Sequence, residues 1–311
     1  MDLSIVTTLY YSAPYLDEFY TRICAAAEKI TDDYEIIFVN DGSPDESLEI
    51  AISLYENDPR IKIIDLSRNF GHHKAAMTGL AHAKGELVFL IDVDLEEDPE
   101  LLNDFHKVFI NSDTDVAYGI QNKRKGGVWE RMTGALFYWV FNLLSTHKIP
   151  ANLLMARLMS KRYVKNLVAH RESELDISGL WAITGFKQVP VKVDKHSKSG
   201  TTYTLGRKLT LAVRSITGFS NKPLIYIAGL GVIILAITIL YSLYILGVRV
   251  FIGKTPSGYL SIILSVWFLG GLIIFSIGVV AIYLSVVFIE TKNRPYTIIR
   301  DIYEGSRHET Q

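Results

Sequence analysis

The chain has 311 residues, 49% of them hydrophobic, and a formal net charge of −1. That near-neutral balance argues against a nucleic-acid binder, which carries a strongly basic face, and the length allows one large domain with attachments or two domains. The single cysteine, Cys24, excludes an internal disulfide, and Met1-Asp2-Leu3 opens no secretory signal, so the N-terminal part is expected to stay in a reducing compartment.

In chain order, Leu3 to Leu9 reads as a first buried strand. A helix follows from about Pro14, with Leu16, Phe19, Ile23 and Ala26-Ala27 at helical spacing. Glu35 to Val39 is a second strand, closed by the turn-rich Asn40-Asp41-Gly42-Ser43-Pro44. A helix over Asp45 to Tyr55, a strand over Ile61 to Leu66, a polar turn over Ser67 to Gly71 and a helix over Lys74 to Ala83 come next. Leu87 to Ile91 is an unbroken apolar run, short enough to be a strand buried on both faces. Asp115 to Gly119 is a fifth strand. Strands alternating with helices predict an α/β domain with a parallel sheet covered on both faces. No G-x-G-x-x-G follows the first strand, so a dinucleotide cofactor is not expected.

The fourth strand ends abruptly in Asp92-Val93-Asp94. Strand side chains alternate, so the two carboxylates would share one side and Val93 the other. The carboxyl end of a buried strand is where open α/β sheets bind ligands, and hard carboxylate oxygens suit Mg²⁺ or Mn²⁺ with positions left for phosphate oxygens. The bland alternative is a pair of turn residues. Glu96 stands close enough to join the metal, although Glu96-Glu97-Asp98 also reads as negative charge at a helix start, with Asp98 as cap and Pro99 in the first turn. His72-His73 lack the H-E-x-x-H spacing of a metal pair and are expected to be solvated or hydrogen-bonded.

After Gln121 the character changes. Lys123-Arg124-Lys125 leads into Val128 to Leu144, where Trp129, Phe137, Tyr138, Trp139 and Phe141 crowd together. Aromatic amphipathic helices flanked by Lys and Arg favour a membrane interface, and Pro150 to Val168 continues in kind with Arg157, Lys161, Arg162 and Lys165. Val189 to Val193 reads as an edge strand, since Pro190 cannot donate to a ladder. Lys195 to Tyr203 is a polar basic loop, and Leu205 to Ile216 another surface-lying helix.

Leu224 to Gly247 and Tyr259 to Ile289 carry no charge, and each is long enough to cross a hydrocarbon core of about 30 Å. Without ionisable groups they read as an anchor and not as a channel or proton path. Arg207, Lys208, Arg214 and Lys222 precede the pair and Lys292, Arg294 and Arg300 follow it, which puts both termini and the acidic site in the cytoplasm. The expected organisation is a core over 1–122, interfacial and acceptor-side segments over 123–222, two membrane helices over 223–290 and a cytosolic tail over 291–311.

Ser4-Ile-Val6, Val39-Asn-Asp-Gly-Ser43, Leu66-Ser-Arg-Asn-Phe-Gly71, Asp92-Val-Asp-Leu95 and two C-terminal spans ending in Arg294-Pro-Tyr296 together resemble one family over nearly the whole chain. It is the membrane-anchored family 2 glycosyltransferases that load sugars onto polyprenyl phosphate, the group of bactoprenol glucosyltransferases and dolichol-phosphate mannose synthases. The resemblance implies a GT-A-type (Rossmann-like) α/β core, an inverting mechanism, a bacterial inner-membrane location, and as partners a nucleotide-diphosphate sugar (UDP-linked), undecaprenyl phosphate and the bilayer, with homo-oligomerisation left open. It implies that Thr7, Leu9, Asp41, Ser67 and Asn69 line the donor site, that Asp92 and Asp94 contact donor and metal, and that Arg124, Arg131 and Arg157 draw in the lipid phosphate. Three departures stand out: Glu96 replaces the usual Gln, Met155 replaces an Asp, and Lys195, His196 and Lys198 stand in for a loop Arg that meets substrate. Those departures keep a catalytically silent membrane subunit as the alternative. A processive polysaccharide synthase would need Gln-x-x-Arg-Trp and more spans.

Overall fold

A computed structural model describes residues 1–121, 153–172, 177–193, 220, 222–252, 258–305 and 307–310. The chain divides into two units, one of residues 1–131, 149–204 and 293–311, the other of residues 132–148 and 205–292.

In the first unit the strands are β1 (Leu3–Leu9), β2 (Tyr34–Asn40), β3 (Ile61–Leu66), β4 (Leu87–Leu90), β5 (Val116–Gln121), β6 (Leu153–Ser160), β7 (Gln188–Val193), β8 (Ile299–Glu304) and β9 (Arg307–Thr310). Among the described residues they form one sheet in the order β7-β5-β6-β4-β1-β2-β3-β8-β9. The centre, β3-β2-β1-β4, is parallel as the apolar runs require, while β6 and β8 pair antiparallel on its two flanks. Every residue of β1, β2 and β3 is buried, because helices cover both faces.

The helices are α1 (Leu16–Ala27), α2 (Ser47–Asn57), α3 (His72–His82), α4 (Leu101–Ser112), α5 (Lys161–Leu167) and α6 (Ile177–Ile183). Leu16, Phe19, Ile23, Ala26 and Ala27 turn one face of α1 into the main core, where Phe89 of β4 meets Phe105 of α4 edge to face at 6.0 Å. On α3, Gly79 sets the distance to the sheet: a Cβ there would lie 2.5 Å from Val6 and 2.8 Å from Val39 side-chain carbons.

Two segments depart from expectation. Leu153–Ser160 is a strand inserted antiparallel between β4 and β5, not a continuation of an interfacial helix. The basic residues suggested a helical face, but Leu154, Ala156 and Leu158 alternate into the core, and pairing with distant strands decides the matter. Only Lys161–Leu167 is helical, capped by Ser160, whose hydroxyl accepts from Tyr163 N. The terminal segment is also more than a tail, since β8 pairs with β3 and β9 pairs with β8. β7 lies at the sheet edge, as Pro190 suggested.

The second unit contributes α7 (Lys222–Ile252) and α8 (Tyr259–Thr291). Within them Lys222–Tyr241 and Ser265–Thr291 are long and apolar enough to cross a membrane. Large apolar side chains such as Leu240, Phe251 and Trp267 stand exposed along both, the opposite of a soluble core helix and what lipid-facing helices present.

Candidate active site

The β1–β4 ladder runs one residue past the strand, with Ile91 N donating to Val6 O at 3.1 Å. Beyond it Ile91, Val93, Leu95 and Glu97 are buried, whereas Asp92, Asp94 and Glu96 are partly open. Burial therefore alternates as expected, with Asp92, Asp94 and Glu96 at the partly exposed positions. Asp94 Oδ1 accepts from Glu96 N at 2.9 Å and closes a tight turn. Leu95 pays for that turn with a left-handed φ of 57°, a strain of about 1–2 kcal/mol in an L-residue of the kind concentrated at functional sites. Glu97 fixes the loop from beneath: it is 1% exposed, and its Oε2 accepts from Ala156 N on β6 at 2.8 Å. Asp98 is held by Arg22 Nη2 at 2.7 Å, and α4 starts two residues beyond Pro99.

The ends of β1, β2 and β3 form a second arm. Asp41 is 2% exposed and accepts from Phe70 N at 2.7 Å and Gly71 N at 3.0 Å. Burial raises its carboxyl above the ordinary value, against the downward pull of those two N–H groups. Next to it Gly42 has φ +60°, and a Cβ there would fall 2.6 Å from Arg68 C and Asn69 N. Two loops are thus in backbone contact, with glycine making the approach feasible. Asp41 N donates to Leu9 O at 3.0 Å. Leu9 and Thr7 are buried, and Thr7 Oγ1 has no hydrogen-bond partner among the described residues. Ser67 and Asn69 are exposed on the rim.

The two arms meet at His72, the first residue of α3. One ring nitrogen, Nδ1, lies 2.9 Å from Thr8 Oγ1 and the other, Nε2, 3.3 Å from Asp92 Oδ1. Burial lowers its basicity, opposed by the charges of Asp41 and Asp94. Among the described residues no three acidic, histidine or cysteine side chains converge into a ready-made metal cage, so Asp92, Asp94 and Glu96 do not form one. Two hard carboxylates on an open rim nonetheless fit a Mg²⁺-type ion, which is bound by one or two carboxylates and completed by phosphate oxygens and water.

The model of the family described as Glycosyl transferase family 2 matches residues 4–167. The chain belongs to glycosyl transferase family 2. This family 2 member is 54% identical over 304 residues to a protein of Mycobacterium tuberculosis (strain CDC 1551 / Oshkosh) named only as a glycosyltransferase, covering 97% of this chain and 89% of that one. It is 32% identical over 308 residues to the SfII prophage-derived bactoprenol glucosyl transferase of Shigella flexneri, covering 98% of this chain and all of that one. The resemblance read from the motifs is borne out over nearly the full length. Among solved structures, that of S. aureus TarS 1-349 in complex with UDP-GlcNAc aligns with a TM-score of 0.47 and 18% identity over 70% of this chain and 66% of that one.

In this transferase Arg157 sits on β6 opposite Leu90 and Tyr118, not on an interfacial helix. It is 1% exposed, its guanidinium stacks on the Trp181 ring, and Nη2 reaches Leu154 O only at 3.5 Å. Its Nε has no hydrogen-bond partner among the described residues. Burial pushes its pKa down to about 9, against the pull of Tyr163, Glu97 and Tyr118. Register puts Arg157 on the face of Leu90, the same side of the chain as Asp92 two residues on. Arg124, Arg131, Lys195, His196 and Lys198 lie outside the described residues. His72 is hydrogen-bonded, as expected, and its place directly after the Phe70-Gly71 pair that Asp41 grips brings it beside Asp92. Glu97, read as charge at a helix start, is buried beneath the loop.

Proposed function

We propose that this family 2 glycosyltransferase moves one sugar from a nucleoside diphosphate donor, UDP-linked, to polyprenyl phosphate at the cytosolic face of a bacterial inner membrane, with inversion. The observation that carries the reading is the end-to-end match to a bactoprenol glucosyl transferase, in a chain that also has two candidate spans and a carboxylate rim at its sheet's carboxyl edge.

In this reading the Asp41 turn, with Thr7, Leu9, Ser67 and Asn69 around it, holds the nucleoside. Asp92 and Asp94, with Glu96 beside them, would hold Mg²⁺ or Mn²⁺, which when bound offsets charge developing on the departing diphosphate. The acceptor phosphate is already anionic at neutral pH, so its oxygen forms the bond to the anomeric carbon as the bond to the diphosphate breaks on the opposite face. No proton has to move in that step. Arg157, with Arg124, Arg131, Lys195, His196 and Lys198, supplies positive charge for the acceptor phosphate and the diphosphate.

The test is transfer of radiolabelled sugar into the organic phase, from a panel of sugar nucleotides, in membranes containing undecaprenyl phosphate and Mn²⁺ or Mg²⁺. Asp94→Ala should abolish incorporation while leaving insertion intact; full activity in that variant overturns the site assignment.

A further inference from the structure

The strand that follows the second candidate span packs directly against the loops proposed to hold the nucleoside. Ser67 N donates to Ile298 O at 2.9 Å, and Thr297 Oγ1 lies 2.8 Å from Thr78 Oγ1 on α3. The β3–β8 register slips between Asp65 and Leu66, where Asp65 faces Asp301 and Leu66 faces Ile299. Arg300 is the residue left over in that slip, and a bulge of this kind re-aims its side chain. Its guanidinium forks: Nη2 donates to Leu66 O at 3.1 Å, and Nε lies 3.3 Å from Asp65 Oδ2.

Asp65 is 1% exposed, and its other oxygen accepts from Asn40 Nδ2 at 2.7 Å. Asn40 Oδ1 in turn accepts from Ser43 N at 3.1 Å, folding the Asn40–Ser43 turn that carries Asp41 and Gly42. An unbroken path of polar contacts therefore leads from Arg300 through Asp65 and Asn40 to the turn bearing Asp41. Further along the hairpin Glu304 contacts both Lys62, at 2.7 Å, and Lys84, so the strand is pinned at both ends.

We propose that Arg300 is a positioning residue for the donor's nucleoside site, holding the Asp41 turn in its binding geometry through Asp65 and Asn40. The proposal rests on the donor reading above and adds to it that the site is completed by residues beyond the last span. Without Arg300 the buried Asp65 carboxylate would lose its charged partner and keep only the Asn40 amide, and relief would come by tilting away and dragging Asn40 with it. The contribution is to affinity for the nucleotide, not to the bond-making step.

The experiment uses the full-length protein in detergent, titrated with UDP and with GDP in the presence of Mn²⁺, alongside steady-state kinetics and the thermal midpoint of the ligand-free protein. Arg300→Met should weaken nucleotide binding and raise the donor KM by roughly tenfold, as loss of an outer supporting contact does, with kcat nearly unchanged. Asp65→Asn added to Arg300→Met should restore binding to within about threefold, because the neutral amide still accepts from Asn40 and no charge is stranded. If Arg300→Met does not fold, Arg300→Gln decides: it keeps a donor for Leu66 O but removes the charge, and weakened binding supports the proposal. Unchanged affinity in the folded variant, or a double variant no better than the single, overturns it while the donor reading stands. Failure of the wild-type protein to bind either nucleotide overturns both.

Discussion

His72 Nε2 stands 3.3 Å from Asp92 Oδ1 while Nδ1 is engaged by Thr8 Oγ1 at 2.9 Å. An imidazole held from one side aims the carboxylate on the other, as outer partners do for metal-binding groups. His72→Ala should lower kcat/KM by about ten- to a hundredfold and raise the Mn²⁺ concentration needed for half-maximal rate. A metal titration identical to wild type would remove His72 from the machinery.

Gly42→Ala tests the contact between the β2 and β3 loops. The added methyl would sit 2.6 Å from two backbone atoms, at a φ of +60° that L-residues avoid. Overpacking against backbone costs about 1–3 kcal/mol, which in a unit of this size lowers the thermal midpoint by roughly 2–12 °C. Donor KM should rise with it; a variant with unaltered midpoint and KM would show that the loops can part freely.

Arg157 and Glu97 are both about 1% exposed, and the charge of Glu97 acts on Arg157. Removing one of two buried opposite charges leaves the other less compensated, while neutralising both can cost less. Arg157→Met and Glu97→Gln should therefore each destabilise strongly, and the double variant should lose less than their sum. Strict additivity in that cycle would mean the two charges do not communicate.

Asp115 provides the pH test. Arg162 and Ser160 hydrogen-bond its carboxylate and hold it below the usual range. A carboxyl group depressed in the folded state stabilises above its unfolded pKa near 3.8 and loses that contribution as pH falls through the folded value. Because Arg162 is 70% exposed, screening weakens its share, and the hydrogen bond from Ser160 remains. Asp115→Asn should cost about 1–2 kcal/mol at pH 7, with the gap to wild type closing below about pH 4. A gap that is constant with pH would refute the assignment.

What could be read from the sequence was what local pattern encodes. Short strand patterns alternating with helices, with the unbroken apolar run Leu87 to Ile91 among them, gave the parallel centre, and the sharp switch at Asp92 gave the rim. The alternation past Ile91 then put Asp92 and Asp94 on one side. β6 was misread because four basic residues at near-helical spacing outweighed three apolar ones at strand spacing, and its partners lie far off in sequence on β4 and β5. β8 was missed for the same reason in stronger form, since Ile299-Arg-Asp-Ile-Tyr-Glu304 gains its strand character only against β3. His72 carried no motif; its role comes from α3 starting where two loops converge.

The return of β8 to the sheet has a consequence for biogenesis. The residues that flank β3 are translated only after both apolar helices, so the nascent chain keeps an open sheet edge until residues 299–304 emerge. On the donor reading proposed above, competence to grip a nucleotide would then arrive only after both candidate spans have been synthesised.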